Sequence, residues 1–152
     1  HSLAYLPDLA TLDLMRHQSY HAADDDSLSA EYFSSISIET LAGSTVQAVD
    51  SANLLNSPFA IFDIWQLANN ERTDKVDADN AQQILVIRQG FKVEVFLLDL
   101  GTYMFLASLK QGATINQALE ETYDHVATFN PTNAISFLIQ SGFATKITGE
   151  HL

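Results

Sequence analysis

Apolar residues recur at helical spacing three times in the last third of the chain, each run closed by a break signal. Thr102, Phe105, Leu106 and Leu109 form the first stripe, and Gly112 follows as a residue suited to ending a helix in the left-handed conformation. Thr114 precedes Gln117 by three positions, so its hydroxyl can accept the Gln117 amide while the Gln side chain returns to the Thr114 backbone. That capping box predicts a second helix to about Ala127, with Ile115, Leu119, Thr122 or Tyr123, and Val126 turned inward. Asn130 and Pro131 repeat the start signal for a third helix carrying Ala134, Ile135, Leu138 and Ile139, which Gly142 ends. Phe143 to Ile147 is short and rich in β-formers, as a wing strand would be. Helix, helix, helix and strand over Gly101 to Ile147 is a winged-helix layout.

Upstream, the runs Gln83 to Arg88 and Lys92 to Leu98 flank Gln89 and Gly90 and predict a β-hairpin. The first half is organised differently. Pro7 and Asp8 open a helix with Leu9, Leu12 and Met15 on one face, running toward Tyr20 and His21. An acidic loop, Asp24 to Asp26, ends it, and Ser27 to Phe33 predicts a short helix. Ser44 to Val49 alternates like a strand, although Val46 and Val49 are out of phase. Ser57 and Pro58 then signal the start of an apolar helix with Phe59, Ile61, Phe62, Trp65 and Leu67. The polar segment Asn69 to Asn80 reads as a linker. The expected fold class is α+β: a helical segment with a short strand over 1–70, a linker over 71–80, and a winged-helix-like domain over 81–149, with the halves free to pack as one unit.

Charge changes the meaning of this layout. The 152 residues include 19 acidic and 7 basic ones, a formal net charge of -12. Such a surface repels the phosphate backbone, whose neutralisation by Lys and Arg supplies most non-specific nucleic-acid affinity. The third helix, where a winged helix would read bases, holds no Arg or Lys, and the wing offers only Lys146. Direct DNA binding by this chain is therefore not expected. The absence of cysteine excludes a disulfide frame and thiolate chemistry. No window approaches the roughly 18 apolar residues of a membrane helix, and the N-terminus lacks a signal peptide, so a cytoplasmic protein without membrane contact is expected. The chain begins His1-Ser2 without an initiator Met, which predicts a fragment, a processed product or a tag remnant.

Candidate chemistry is sparse. His17 and His21 lie four apart on a predicted helix and Asp24 follows, a spacing that can bring two imidazoles and a carboxylate to a metal. Packing at the helix end is the simpler role for His21 and Tyr20, and the acidic run is most simply a solvated loop. His125 is isolated, and His1 and His151 are terminal. No serine sits in a Gly-x-Ser-x-Gly turn and no Gly-rich phosphate loop is present, so neither catalysis nor a cofactor is expected.

The run Leu6-Pro7-Asp8-Leu9-Ala10-Thr11-Leu12-Asp13, then His17, Tyr20-His21-Ala22 and Asp24, then Ser57-Pro58 leading to Ile64-Trp65-Gln66, resembles the C-terminal portion of HvfC-type proteins. The likeness continues through Val86 to Gly90 and Leu106 to Gly112. This family, which includes relatives of MbnC, carries a DNA-binding label attached largely to a helical N-terminal domain that lies ahead of the matching region. Its members pair with multinuclear non-haem iron oxidases that modify cysteines in ribosomally made peptides. The resemblance implies a non-catalytic partner of such an iron-dependent peptide-modifying oxidase, assisting its precursor peptide. Leu97 to Ile147 is also similar to PqqD-like winged-helix elements, which hold a leader peptide at a sheet edge and in a groove beside the third helix. The equivalent surface here would be an edge of the hairpin, Leu85 and Ile87 or Val93 and Val95, with Ile135, Leu138 and Ile139 nearby. For each of these residues, membership of the core is the competing role. Two further readings stand beside this one: a regulatory domain of a DNA-binding transcription regulator whose DNA-contacting domain is absent here, and a metal-binding module using His17 and His21.

Overall fold

Val86 has a strand residue on either side of it, Asn53 across one ladder and Val95 across the other. The computed structural model, which describes residues 3–71 and 73–149, places β3 (Gln82–Gln89) between β2 (Asn53–Ser57) and β4 (Lys92–Leu98) in an antiparallel sheet. The predicted α+β class holds, with a mixture of helices and two small antiparallel sheets. His1 and His151 lie outside the described residues.

The apolar run of β3 follows from its central position. Ile84, Leu85, Val86 and Ile87 are all fully buried, because each face of the sheet is covered by helices. On one face Ile84 and Val86 meet Leu12 of α1 (Leu6–His21) and Ile61 of α4 (Ile61–Ala68). On the other, Leu85 and Ile87 join a larger core with Phe105, Leu106 and Leu109 of α5 (Leu100–Lys110). Side chains buried this way contribute roughly 1.5–3 kcal/mol each, which makes β3 the spine of the fold.

The C-terminal helices follow the sequence signals closely. Thr114 and Gln117 form the reciprocal capping box of α6 (Ile115–His125), and Asn130 accepts the Asn133 amide ahead of α7 (Pro131–Gln140). Helix α6 ends two residues short of the predicted Ala127, with Val126 already extended. Gly112 and Gly142 take positive φ after α5 and α7. The closing strand β5 (Ala144–Thr148) finds its partner far upstream, in β1 (Thr45–Ala48), and Thr45 also bridges to Thr114. The strand that pairs with β5 thus comes from the first half of the chain. The ladder shifts register between Gln47 and Ala48, where β5 carries the extra residue Thr145; Val46 within β1 and Val49 just past its end are both buried.

Four elements differ from the sequence expectation. Strand β2 was not predicted, since Asn53-Leu-Leu-Asn-Ser57 has no β-branched residue and no clear alternation; it forms because β3 offers a ladder. Ser57 and Pro58 do not start a helix. Ser57 ends β2 and donates from Oγ to Asp8 at 2.5 Å, and α4 begins at Ile61. No local side chain caps α4; Gln82 of β3 does so, its Oε1 accepting the Phe62 and Asp63 amides. The predicted helix over Ser27 to Phe33 is shortened to α2 (Ala30–Ser34), capped by Ser29, and an unpredicted turn of helix, α3 (Ile38–Ala42), is capped by Ser37. Among the described residues no helix is long and apolar enough to cross a membrane.

Candidate functional site

Leu85 and Ile87 do not border a sheet edge, because β2 occupies the side of β3 that a hairpin alone would have left open. Both are fully buried against α5 and are core residues. That leaves β4 as the open edge of the hairpin, with no strand paired to its outer side among the described residues. Val93 and Val95 lie on β4 half-buried, packed with the cluster under α1 and α4. Leu138 is core, and Ile135 and Ile139 are half-buried against the larger cluster. The α7 residue that reaches β4 is Phe137, whose ring stands edge-on to Phe96 at 5.4 Å between centroids. Phe137 lies three residues after Ala134, a helical spacing that sets it beside Leu138 on the inward side, so the signal that would have found it was present in the sequence.

Two ends of β4 expose apolar surface. At its start, Gly90 takes φ 63 in a two-residue turn closed by the Gln89–Lys92 pair, and Phe91 stands almost free of the protein at 98% exposure. At its end, Leu97 and Leu100 are each nearly half exposed. Leu97 continues the alternation of Val93 and Val95, so its place on that face was legible in the sequence.

The hairpin tip separates two clefts of opposite character. One, of about 620 Å³, lies between α1 and the start of β4 and is lined by Asp13, Arg16, His17, Tyr20, Phe91, Lys92 and Val93. Arg16 stacks over Trp65 at 5.3 Å, and its Nε is shut off from solvent without a hydrogen-bond partner. The other cleft, of about 340 Å³, is lined by the acidic run, Arg88 and Phe91 among others.

Arg88 explains why the acidic run sits there. From β3 it reaches beneath the end of α1 and donates to the carbonyls of Ser19, Tyr20, Ala22 and Ala23, and to Asp24 Oδ1 at 2.9 Å. A guanidinium suits the carbonyl-rich C-terminus of a helix, where partial negative charge gathers. Asp25 accepts the Asp50 amide and Asp50 accepts the Ala23 amide, so two further carboxylates secure backbone. The acidic run is exposed, as expected of a solvated loop, yet it is tied down on both sides.

His17 and His21 do meet, ring centroids 4.5 Å apart in an edge-to-face arrangement, with Tyr20 against His21. Asp24 does not join them, because the chain turns extended at Ala22 and delivers Asp24 to Arg88. Among the described residues no group of three His, Asp or Glu side chains stands where it could hold a metal ion. His125 bonds through Nδ1 to the Glu121 carbonyl of its own helix.

One amine departs from ordinary behaviour. Lys110 donates to the Ala52 carbonyl at 2.9 Å, and burial of its ammonium lowers its pKa, with Asp50 opposing the shift.

Comparison with protein-family models, with curated proteins and with solved structures found no match.

Proposed function

We propose that this chain is a non-catalytic cytoplasmic docking protein that holds an extended segment of a ribosomally made, cysteine-containing peptide along β4 and presents it to a multinuclear non-haem iron oxidase. One observation carries the reading: among the described residues β4 closes the hairpin with its outer edge unpaired, while apolar side chains stand exposed at both of its ends. An unpaired edge is a template for main-chain hydrogen bonds, and flanking side chains supply selectivity. The rest of the chain suits a rigid holder, since β3 is locked between covered faces and β4 rides on it. The oxidase as partner rests on the resemblance of Leu6 to Asp13, Ser57 to Gln66 and the later segments to HvfC-type proteins.

Co-purification of the chain with the cognate oxidase, with and without precursor peptide, tests the proposal. Stoichiometric association strengthened by the peptide supports it. Failure to associate at micromolar concentration under both conditions overturns it.

A further inference from the structure

His17 and His21 stand one turn apart on α1, where side chains four residues apart are neighbours on one face of the helix. The turn that carries them is held in place. Ser19 between them is buried and donates from Oγ to the Ser51 carbonyl at 2.7 Å, while Arg88 ties down the carbonyls of Ser19, Tyr20 and Ala22. A helix end that would otherwise fray is fixed through His21. Both histidines are exposed, and among the described residues neither ring has a hydrogen-bond partner, their ring contacts being with one another and with Tyr20. The ring nitrogens are open to a ligand.

The two ring centroids lie 4.5 Å apart, with 62° between the planes. That separation fits a shared metal ion. Two imidazoles bound at about 2.0–2.1 Å and at right angles have ring centres roughly 4.5 Å apart, widening to roughly 5 Å at the tetrahedral angle. Only rotation about χ2, a broad torsion in histidine, is needed to turn a nitrogen of each ring toward a common point. Paired imidazoles also select the ion. They suit late first-row divalent metals such as nickel(II), copper(II) and zinc(II), whereas calcium and magnesium require oxygen ligands. The surrounding charge assists. A net charge of -12 concentrates cations at the surface, and Asp13 lies one turn before His17 on the wall of the same cleft. The two basic residues of that cleft are engaged elsewhere, Arg16 over the Trp65 ring and Lys92 with Glu94 at 3.4 Å.

We infer that His17 and His21 form a two-histidine clamp across the last turns of α1 that binds a late first-row divalent metal ion. With two protein ligands the ion keeps coordination positions for water or for a ligand from outside, and Asp24, held by Arg88, takes no part. The clamp is independent of the docking role proposed above, since it needs no occupant of β4.

Titration of the whole chain with zinc chloride, followed by calorimetry and by the histidine ring resonances in NMR, tests the clamp. The expected result is a saturable site that shifts the His17 and His21 rings together, with calcium chloride giving none. His17→Asn and His21→Asn should each weaken binding at least about tenfold, the scale on which even residues behind the ligands act on metal affinity. Both rings are exposed, so neither change disturbs packing, and urea denaturation of the metal-free variants verifies the fold. His125→Asn, whose ring is bonded to its own helix, should bind as the parent does. Saturating zinc should raise the melting temperature of the parent and not of the two clamp variants, because the clamped turn belongs to the folded state. Binding that survives either single change at the parent's affinity places the metal elsewhere on the chain and overturns the clamp, as does the absence of saturable binding.

Discussion

Arg88 Nη2 lies 2.9 Å from Asp24 Oδ1, the last contact in a clasp by which one side chain of β3 holds the chain leaving α1. The two partners contribute unequally. Asp24 is fully exposed and its pairing is screened by water, whereas the Arg88 side chain is 11% exposed and serves four carbonyls. Arg88→Met should lower unfolding free energy by about 1–2 kcal/mol, because four carbonyls at exposed or part-buried positions lose a charged donor. Arg88→Lys should recover only part of this, an ammonium lacking the guanidinium fork. Asp24→Asn should change stability little. Urea denaturation of the three variants checks the order.

Gly142 should tolerate no side chain. Its φ is 76, and a Cβ there would meet Ser27 Oγ at 2.8 Å, the hydroxyl that donates to the Gly142 carbonyl. Gly142→Ala should cost about 1–3 kcal/mol, combining backbone strain with a displaced hydrogen bond. Gly112 has φ 100 but open space around it, so Gly112→Ala should cost less. Thermal unfolding of both variants gives the comparison.

Leu97 separates docking from folding. It is nearly half exposed at the end of the free edge, so Leu97→Lys should shift stability by no more than about 0.5 kcal/mol. The same change places a charge where an added strand would bury an apolar side chain. Oxidase and peptide association should therefore fall while the melting temperature holds.

Lys110 predicts an alkaline rise in stability. Its folded pKa lies below the ordinary 10.5, so between the folded and unfolded values the unfolded chain holds more protons, and stability increases with pH across that interval. Below the folded pKa the charged amine is penalised in the native state. Lys110 keeps much of its surface in solvent, which keeps the effect small. Lys110→Met should flatten the slope between neutral pH and pH about 10 in otherwise identical urea titrations.

Local signals were legible wherever a residue acts on its own neighbours. The capping box at Thr114 and Gln117, the Asn130-Pro131 start and the glycines after α5 and α7 are events within a few residues, and the sequence alone determines them. The α+β class and the hairpin follow from the same periodicities. Tertiary structure decided what depended on distant partners. Gln82 caps α4 from another strand, β2 exists because β3 gives it a ladder, and β5 pairs with a strand nearly a hundred residues upstream. Pairing on both sides also turned Leu85 and Ile87 from candidate docking residues into core and left β4 as the edge. A ladder of main-chain hydrogen bonds is indifferent to side-chain type, so its partners are chosen by burial of whole faces, and that is settled only when the chain closes on itself.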